Sequence, residues 1–241
     1  NLMRMVVFGF LFWLLSPLAT QAQTQQTGWV AAFTTFRLND EFSLHFDGQL
    51  RSTDHLEQFQ TILLRPGINY HITKNFSVTA GYAFISNRRT LGATSALLNE
   101  HRIWQQALYS HKASRTSLSH RFRVEQRFLP KATLSGNKIE TNGFDTAYRF
   151  RYFVRQIIPL TSHKPFKEGW FLALQNEVFA NIGNKSAVNG KVFDQNRLYG
   201  AAGYRFPGKI DLEVGYMNQY IQTRSSSTTN HIVQFAIYRR L

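Results

Sequence analysis

The feature of this sequence that most restricts its fold is the alternating segment 117–128, which reads SLSHRFRVEQRF. In an extended strand, one face of this segment carries the apolar side chains of Leu118, Phe122, Val124 and Phe128. The other face carries the polar and charged side chains of Ser119, Arg121, Arg123, Glu125 and Arg127. A helical period would scatter both groups around the axis, so the pattern predicts a β-strand. The apolar face of such a strand meets either a protein core or, in a membrane barrel, lipid, with the charges turned into the lumen.

The same alternation recurs along most of the chain, and it favours the membrane barrel. The predicted strands are 29–38, 42–51, 59–72, 76–85, 100–109, 117–128, 148–158, 170–181, 195–206, 210–222 and 231–241. Most have the length that a tilted strand needs to cross a bilayer. Between them, segments 86–98 and 130–145 are predicted as long loops and 112–115 as a short turn. The fold class predicted is all-β, a transmembrane antiparallel β-barrel of about 10–12 strands. Twelve is preferred, because single-chain bacterial barrels have even strand numbers.

The first 22 residues have the pattern of a cleaved signal peptide. Arg4 precedes the apolar run 6–15, and a small-x-small motif follows at 20–22. The run is too short to span a bilayer comfortably. We therefore expect a signal peptide at 1–22, a single barrel domain at 23–241, and a location in the outer membrane of a Gram-negative bacterium. The absence of cysteine excludes disulfides, thiolate metal sites and a lipidated N-terminal cysteine.

Alternation also assigns a set of charged side chains to the predicted lumen, in which arginines outnumber acids two to one. This predicted ion network comprises Asp47, Arg51, Arg65, Glu100, Arg102, Arg121, Arg123, Glu125, Arg127, Arg149, Arg151, Arg155, Glu177, Arg197 and Glu213. One interpretation is that the network braces and fills a narrow, non-catalytic barrel with a structural or accessory role. The alternative is that the excess positive charge serves a narrow anion-selective pore or an anionic-lipid binder.

The net charge of +14 would ordinarily suggest nucleic-acid binding. Here the arginines follow one face of predicted strands instead of forming a linear cluster, and the signal peptide would take the chain out of the cytoplasm. We therefore expect no nucleic-acid partner. The partners expected are outer-membrane lipid and lipopolysaccharide, with other outer-membrane proteins as a further class.

A lipid-modifying enzyme is the less favoured third interpretation. It needs a nucleophile or an activated water beside a histidine and a carboxylate. The candidates are the pairs Glu100 with His101, His45 with Asp47, and Ser119 with His120. Neighbours in a strand point to opposite faces, which separates the first and third pairs. The sequence therefore predicts no catalytic residue, and no metal or cofactor is predicted.

Five sequence blocks, in order, resemble a known family. They are NEHRIWQQ at 99–106, HRFRVEQRF at 120–128, RFR at 149–151, QNEVF at 175–179 and DQNRLY at 194–199. The blocks are similar to those of the domain-of-unknown-function family 2490, found in Bacteroidota and related Gram-negative bacteria. The resemblance implies a secreted outer-membrane β-barrel of this size. It implies no activity, substrate or catalytic residue.

Overall fold

The computed structural model describes residues 22–161 and 165–241, so the predicted signal peptide lies outside the described residues except for its last position. The described chain forms eleven strands and one short 3₁₀ turn, η1, at Asp54–Leu56. The strands are β1 Ala22–Arg37, β2 Phe42–Ser52, β3 Phe59–His71, β4 Phe76–Leu91, β5 Thr94–Ala113, β6 Thr116–Ser135, β7 Lys138–Pro159, β8 Gly169–Ile182, β9 Phe193–Phe206, β10 Ile210–Gln222 and β11 Ser227–Arg240. No helix among these residues is long and apolar enough to cross a membrane.

The strands close into a single barrel, which confirms the predicted all-β barrel fold. Each strand pairs antiparallel with its neighbour in the sequence, and the barrel closes through a parallel pairing of β1 with β11. This seam runs from Ala22 opposite Ser227 to Thr35 opposite Arg240. The count of eleven among the described residues lies within the predicted range and one below the preferred twelve. A parallel seam is what allows an odd number of strands to close.

The two ends of the barrel are named here by the chain positions that lie there. At the Ala22 end, the connections are 53–58, 92–93, 136–137, 183–192 and 223–226. At the Leu241 end, the connections 38–41, 72–75, 114–115 and 207–209 are short, and the β7–β8 connection is longer.

The predicted long loops at 86–98 and 130–145 are wrong. β4 and β5 remain paired as far as Leu91 and Thr94, and β6 and β7 as far as Ser135 and Lys138. These extensions form two ribbons at the Ala22 end, and each turns tightly at a glycine of positive φ, +61° at Gly92 and +58° at Gly136. Polar residues occupy much of both faces of each ribbon, so the alternation of apolar and polar residues that reveals a strand is missing there.

The outer and inner faces of the barrel differ in chemistry. Large apolar side chains 40–56% exposed point outward around the wall, including Val30, Leu44, Phe46, Leu64, Ile68, Phe122, Val124, Leu172, Leu174, Val214 and Phe235. Inside, Trp104 is fully buried and packs over Gly67 and Gly81. A Cβ atom added at these glycines would lie 2.9 and 2.4 Å from the indole, so both positions require a residue without a side chain.

Candidate functional site

The structure places all fifteen residues of the predicted ion network on the inner face of the barrel wall. Residues two apart on a strand share a face, so the charged positions of β2, β3 and β5–β10 converge on one interior. The most deeply placed, Arg123 and Glu125, are each 1% exposed. Around Arg123 and Glu125, the barrel interior is therefore filled by charged side chains that have little contact with solvent.

Glu125 is the centre of the network. Its carboxylate accepts hydrogen bonds from Arg149, at 2.7 and 3.0 Å, and from Arg151, at 2.6 Å. The guanidinium nitrogens of Arg102 and Arg123 lie 3.5 and 4.0 Å from its oxygens. The strand register explains the first contact, because Glu125 on β6 lies directly opposite Arg149 on β7.

Arg151 connects this centre to a second carboxylate. Besides its bond to Glu125, it donates to Glu177 Oε1 from Nε at 3.0 Å and from Nη2 at 2.7 Å. Arg121 donates to the same oxygen at 2.7 Å. Since these residues lie on β6, β7 and β8, one continuous set of charge-assisted hydrogen bonds ties three strands together.

Four further ion pairs extend across the interior. Glu100 accepts from Arg102 at 2.7 Å and from Arg127 at 2.7 and 3.2 Å. The other two pairs are Arg65 with Asp47, at 3.1 Å, and Arg155 with Glu213. Eight of the ten predicted lumenal arginines thus have a carboxylate partner.

The two remaining arginines, Arg51 and Arg197, differ from the others. Among the described residues, no carboxylate oxygen lies within 4.0 Å of either guanidinium group. Their side-chain hydrogen-bond partners are neutral amides: Arg51 donates to Gln49 at 2.7 and 3.2 Å, and Arg197 to Gln195 at 3.3 Å. Both guanidinium groups also contact the ring of Trp29, at 3.9 and 5.1 Å from its centroid.

A cavity of about 180 Å³ lies beside the network, toward the Ala22 end. Its lining contains seven arginines and no acidic residue. These arginines are Arg51, Arg65, Arg102, Arg127, Arg149, Arg151 and Arg197. The carboxylates are not part of the lining, whereas the arginines that bind them are. The surface of the cavity therefore presents mainly positive charge and N–H donors.

The aromatic rings on which the guanidinium groups stack were not predicted from the sequence. Arg123 lies 4.4 Å from the ring centroid of Trp104, and Arg151 lies 4.4 Å from that of Phe179. The alternation would have predicted that Trp104 points into the barrel, because position 104 lies on the same face of its strand as Arg102. Such contacts help to hold a guanidinium group within an apolar surround.

A second missed group lies at the Leu241 end. Asp211 accepts two hydrogen bonds of 2.8 Å from Arg205 and two of 3.1 Å from Arg240. Position 211 shares a face with Glu213, so the alternation could have revealed it. Another missed carboxylate, Asp194, lies 2.9 Å from Arg149 beside the irregular register of β8 and β9. That irregularity is not visible in the sequence.

Of the three histidine pairs considered for catalysis, the structure separates Glu100 from His101 and Ser119 from His120, whereas His45 and Asp47 share the inner face of β2. His101 and His120 bond to the tyrosine hydroxyls of Tyr82 and Tyr152 on the outer face, at 2.5 and 2.9 Å. Asp47 is engaged by an arginine and a glutamine. Within 22–161 and 165–241, no three histidine or acidic side chains group as metal ligands would.

The interior and the wall together define a class: a closed β-barrel with an apolar outer face and an arginine-rich, ion-paired interior. The chain belongs to the family described as "Protein of unknown function (DUF2490)", whose model matches residues 26–230. This match confirms the resemblance seen in the five sequence blocks.

Two individual proteins are also similar to this chain. An uncharacterized protein of Methylorubrum extorquens is 24% identical over 196 residues, which cover 80% of this chain and 78% of that protein. The solved structure titled "NanC porin structure in rhombohedral crystal form" aligns with a TM-score of 0.48 and 10% identity. The alignment covers 84% of this chain and 92% of that structure.

Proposed function

We propose that this protein is an outer-membrane β-barrel with a non-catalytic, structural or accessory role, and that its ion network closes the lumen. The observation that carries the proposal is the buried Arg–Glu network at mid-height, in which Glu125 is 1% exposed. A small eight-stranded barrel is filled by its side chains, whereas barrels of 16–18 strands leave an aqueous channel. The eleven strands in residues 22–161 and 165–241 lie between these sizes, and the long arginine and tryptophan side chains fill the interior.

The outer face supports the membrane location. Exposed apolar side chains surround the wall, and an apolar surface of this extent is unfavourable in water. The closed barrel satisfies its backbone hydrogen bonds internally, as the bilayer core requires. Aromatic side chains 38–59% exposed lie near the Leu241 end, as in the interfacial girdles of membrane barrels. They are Phe42, Tyr70, Tyr109, Trp170 and Phe206.

The same outer face supports lipid as the principal partner. Apolar side chains in contact with acyl chains, with aromatic rings at headgroup level, fit outer-membrane lipid and lipopolysaccharide. The ten arginines of the network are directed into the barrel, so they do not contribute to an exposed basic surface of the kind that nucleic-acid binding requires.

Membrane fractionation and gel mobility test the location. We expect the protein in the outer-membrane fraction, with a folded band that shifts on boiling. A soluble periplasmic protein without a heat shift would overturn the proposal.

Single-channel recording in planar bilayers tests whether the lumen is closed, and no steady conductance is expected. Incubation with labelled phospholipid and lipopolysaccharide tests the non-catalytic role, and turnover of either would contradict it.

A narrow anion-selective pore is the second candidate, and the seven-arginine cavity is the observation that favours it. A positively charged constriction attracts anions and repels cations. This candidate expects steady conductance whose reversal potential in a salt gradient shows anion preference. Arg197→Glu should then reduce that preference, whereas Arg239→Glu, on the exposed outer face, should not.

A further inference from the structure

Arg51 and Arg197 are the two arginines of the network that have no carboxylate oxygen within 4.0 Å among the described residues. Because their guanidinium carbons lie 3.9 and 5.1 Å from the same Trp29 ring centroid, the two carbons are at most 9.0 Å apart, the sum of those distances. Each guanidinium group has five N–H donors, and the neutral amides beside them use only some of these. The two groups therefore have donors and charge available for a further ligand.

Both residues line the same cavity of about 180 Å³. This volume equals about six water molecules at ~30 Å³ each, enough for a tetrahedral oxyanion with attached water or a short ester. The neutral polar residues of the lining add hydrogen-bonding groups, and they are Thr61, Asn87, Gln195 and Gln219. No described residue of the lining is acidic, so an anion placed there would contact arginines and neutral polar groups and no carboxylate.

We propose that Arg51 and Arg197 form a binding site for a phosphate-type oxyanion. A phosphate group with nearly two negative charges matches two unpaired guanidinium groups, and arginine binds phosphate through paired hydrogen bonds. This inference goes beyond the proposed function, because a closed barrel needs no ligand. It is also independent of conduction, because a site beside a blocked lumen can fill from one end.

The phosphate group can come from solution or from a lipid. The inner cavity lies toward the Ala22 end, which gives a route for free phosphate. Arg51 also borders an outer cavity of about 470 Å³, whose apolar lining includes Val30, Leu50, Leu56 and Phe59.

The two cavities approach each other at Arg51 because β1 and β2 part there. Their pairing ends at Trp29 opposite Arg51. Beyond this point, the backbone N–H groups of Gly28 and Gln26 donate instead to the side chains of Ser52, at 2.9 Å, and Asp54, at 2.7 Å. A lipid with its chain in the outer cavity could therefore direct its phosphate toward Arg51.

Calorimetric titration of the purified protein in a nonionic detergent tests the proposal. The probes are inorganic phosphate and dihexanoyl phosphatidate, used separately at low chloride and mildly alkaline pH. Binding of inorganic phosphate alone supports the site with a soluble ligand. Binding of phosphatidate, alone or with inorganic phosphate, supports the site with a lipid source. No binding of either probe to the folded protein would overturn the proposal.

Matched variants locate the binding. Arg51→Gln and Arg197→Gln should each weaken affinity by about tenfold or more, the effect of losing one charge-assisted contact. Arg239→Gln removes the same charge from the exposed face at the Leu241 end and should leave affinity within about twofold, since distant exposed charges are screened. Equal weakening of affinity by all three variants would mean that the overall electrostatic field of the protein attracts the anion, and it would overturn the proposal of a specific site.

Loss of the fold is monitored separately. Each variant is first checked for the heat-modified gel mobility of the wild type. Arg51→Lys and Arg197→Lys keep the charge but lose the planar fork, so they should bind more weakly than wild type and more tightly than the Gln variants. These variants keep the test decisive if a Gln variant does not fold. Failure of the barrel proposal would appear in mobility and fractionation, and failure of the site in the titration alone.

Discussion

Glu125→Gln is the substitution that most directly tests the role of the ion network. The carboxylate accepts hydrogen bonds of 2.6–3.0 Å from Arg149 and Arg151, with Arg102 a further 3.5 Å contact, and it is 1% exposed. Glutamine nearly preserves the shape but removes the charge, so these guanidinium groups lose their shared counter-ion. Removal of one partner from a buried ion pair costs about 3–5 kcal/mol. We expect that loss in the free energy of unfolding.

The midpoint of thermal unfolding converts this energy into a measurable shift. For a domain of this size, about 2–4 °C correspond to each kcal/mol, so the midpoint should fall by roughly 6–20 °C. The assay is the temperature at which the folded band disappears on a gel run without boiling. Glu140→Gln is the matched control, because Glu140 is exposed at the tip of β7, and its midpoint should be unchanged.

A double-mutant cycle separates the network from a general effect of the substitution. Arg151→Gln removes one of the groups that Glu125→Gln leaves unpaired, so the double variant should lose less stability than the sum of the single variants. The expected coupling is about 0.5–3 kcal/mol. If the unfolding midpoint of Glu125→Gln is the same as that of the Glu140→Gln control, the network does not brace the barrel and the reasoning is refuted.

Two other substitutions test packing and the Leu241 end, both by urea unfolding in lipid vesicles. Gly81→Ala places a Cβ atom 2.4 Å from Trp104 and 2.5 Å from a backbone oxygen of β3, so we expect a loss of about 1–3 kcal/mol. At Gly48→Ala the nearest atom to the added Cβ is a ring atom of Phe46 at 3.3 Å, so this variant should show no loss, and equal stability of the two variants would contradict the packing argument. Asp211→Asn removes the charge held by two arginines and should cost about 1–3 kcal/mol. Asp40→Asn, in a solvent-exposed pair with Arg37, is its control, and the reasoning fails if the two variants behave alike.

The amino-acid sequence was sufficient to predict the wall of the barrel, for a physical reason. Lipid or core on one side and a charged interior on the other impose a period of two on every strand between them. Segment 117–128 shows this pattern, and the inward positions of Arg121, Arg123, Glu125 and Arg127 follow from it directly. Where both faces of a strand are polar, as in the ribbons around Gly92 and Gly136, the pattern vanishes and strands were predicted as loops.

The pairings inside the barrel could not be predicted in the same way. Alternation assigns a side chain to a face, but its partner depends on the register between strands and on how the barrel closes. Arg151 bridges Glu125 and Glu177 because β7 lies between β6 and β8 in a particular register. Arg51 and Arg197 meet at Trp29 only because β1 joins β11 and brings distant parts of the chain together. Periodicity within one strand carries no information about that closure.

The parallel seam between β1 and β11 also provides an experimental handle. The odd number of strands among the described residues places Ala22 and Leu241 at opposite ends of the barrel. If the barrel spans the outer membrane as we propose, a protease-sensitive tag fused before β1 and a second tag fused after β11 would therefore sample opposite faces of the same bilayer. Digestion of intact cells should remove one tag and spare the other, and the spared tag would reveal the orientation of the barrel in a single measurement.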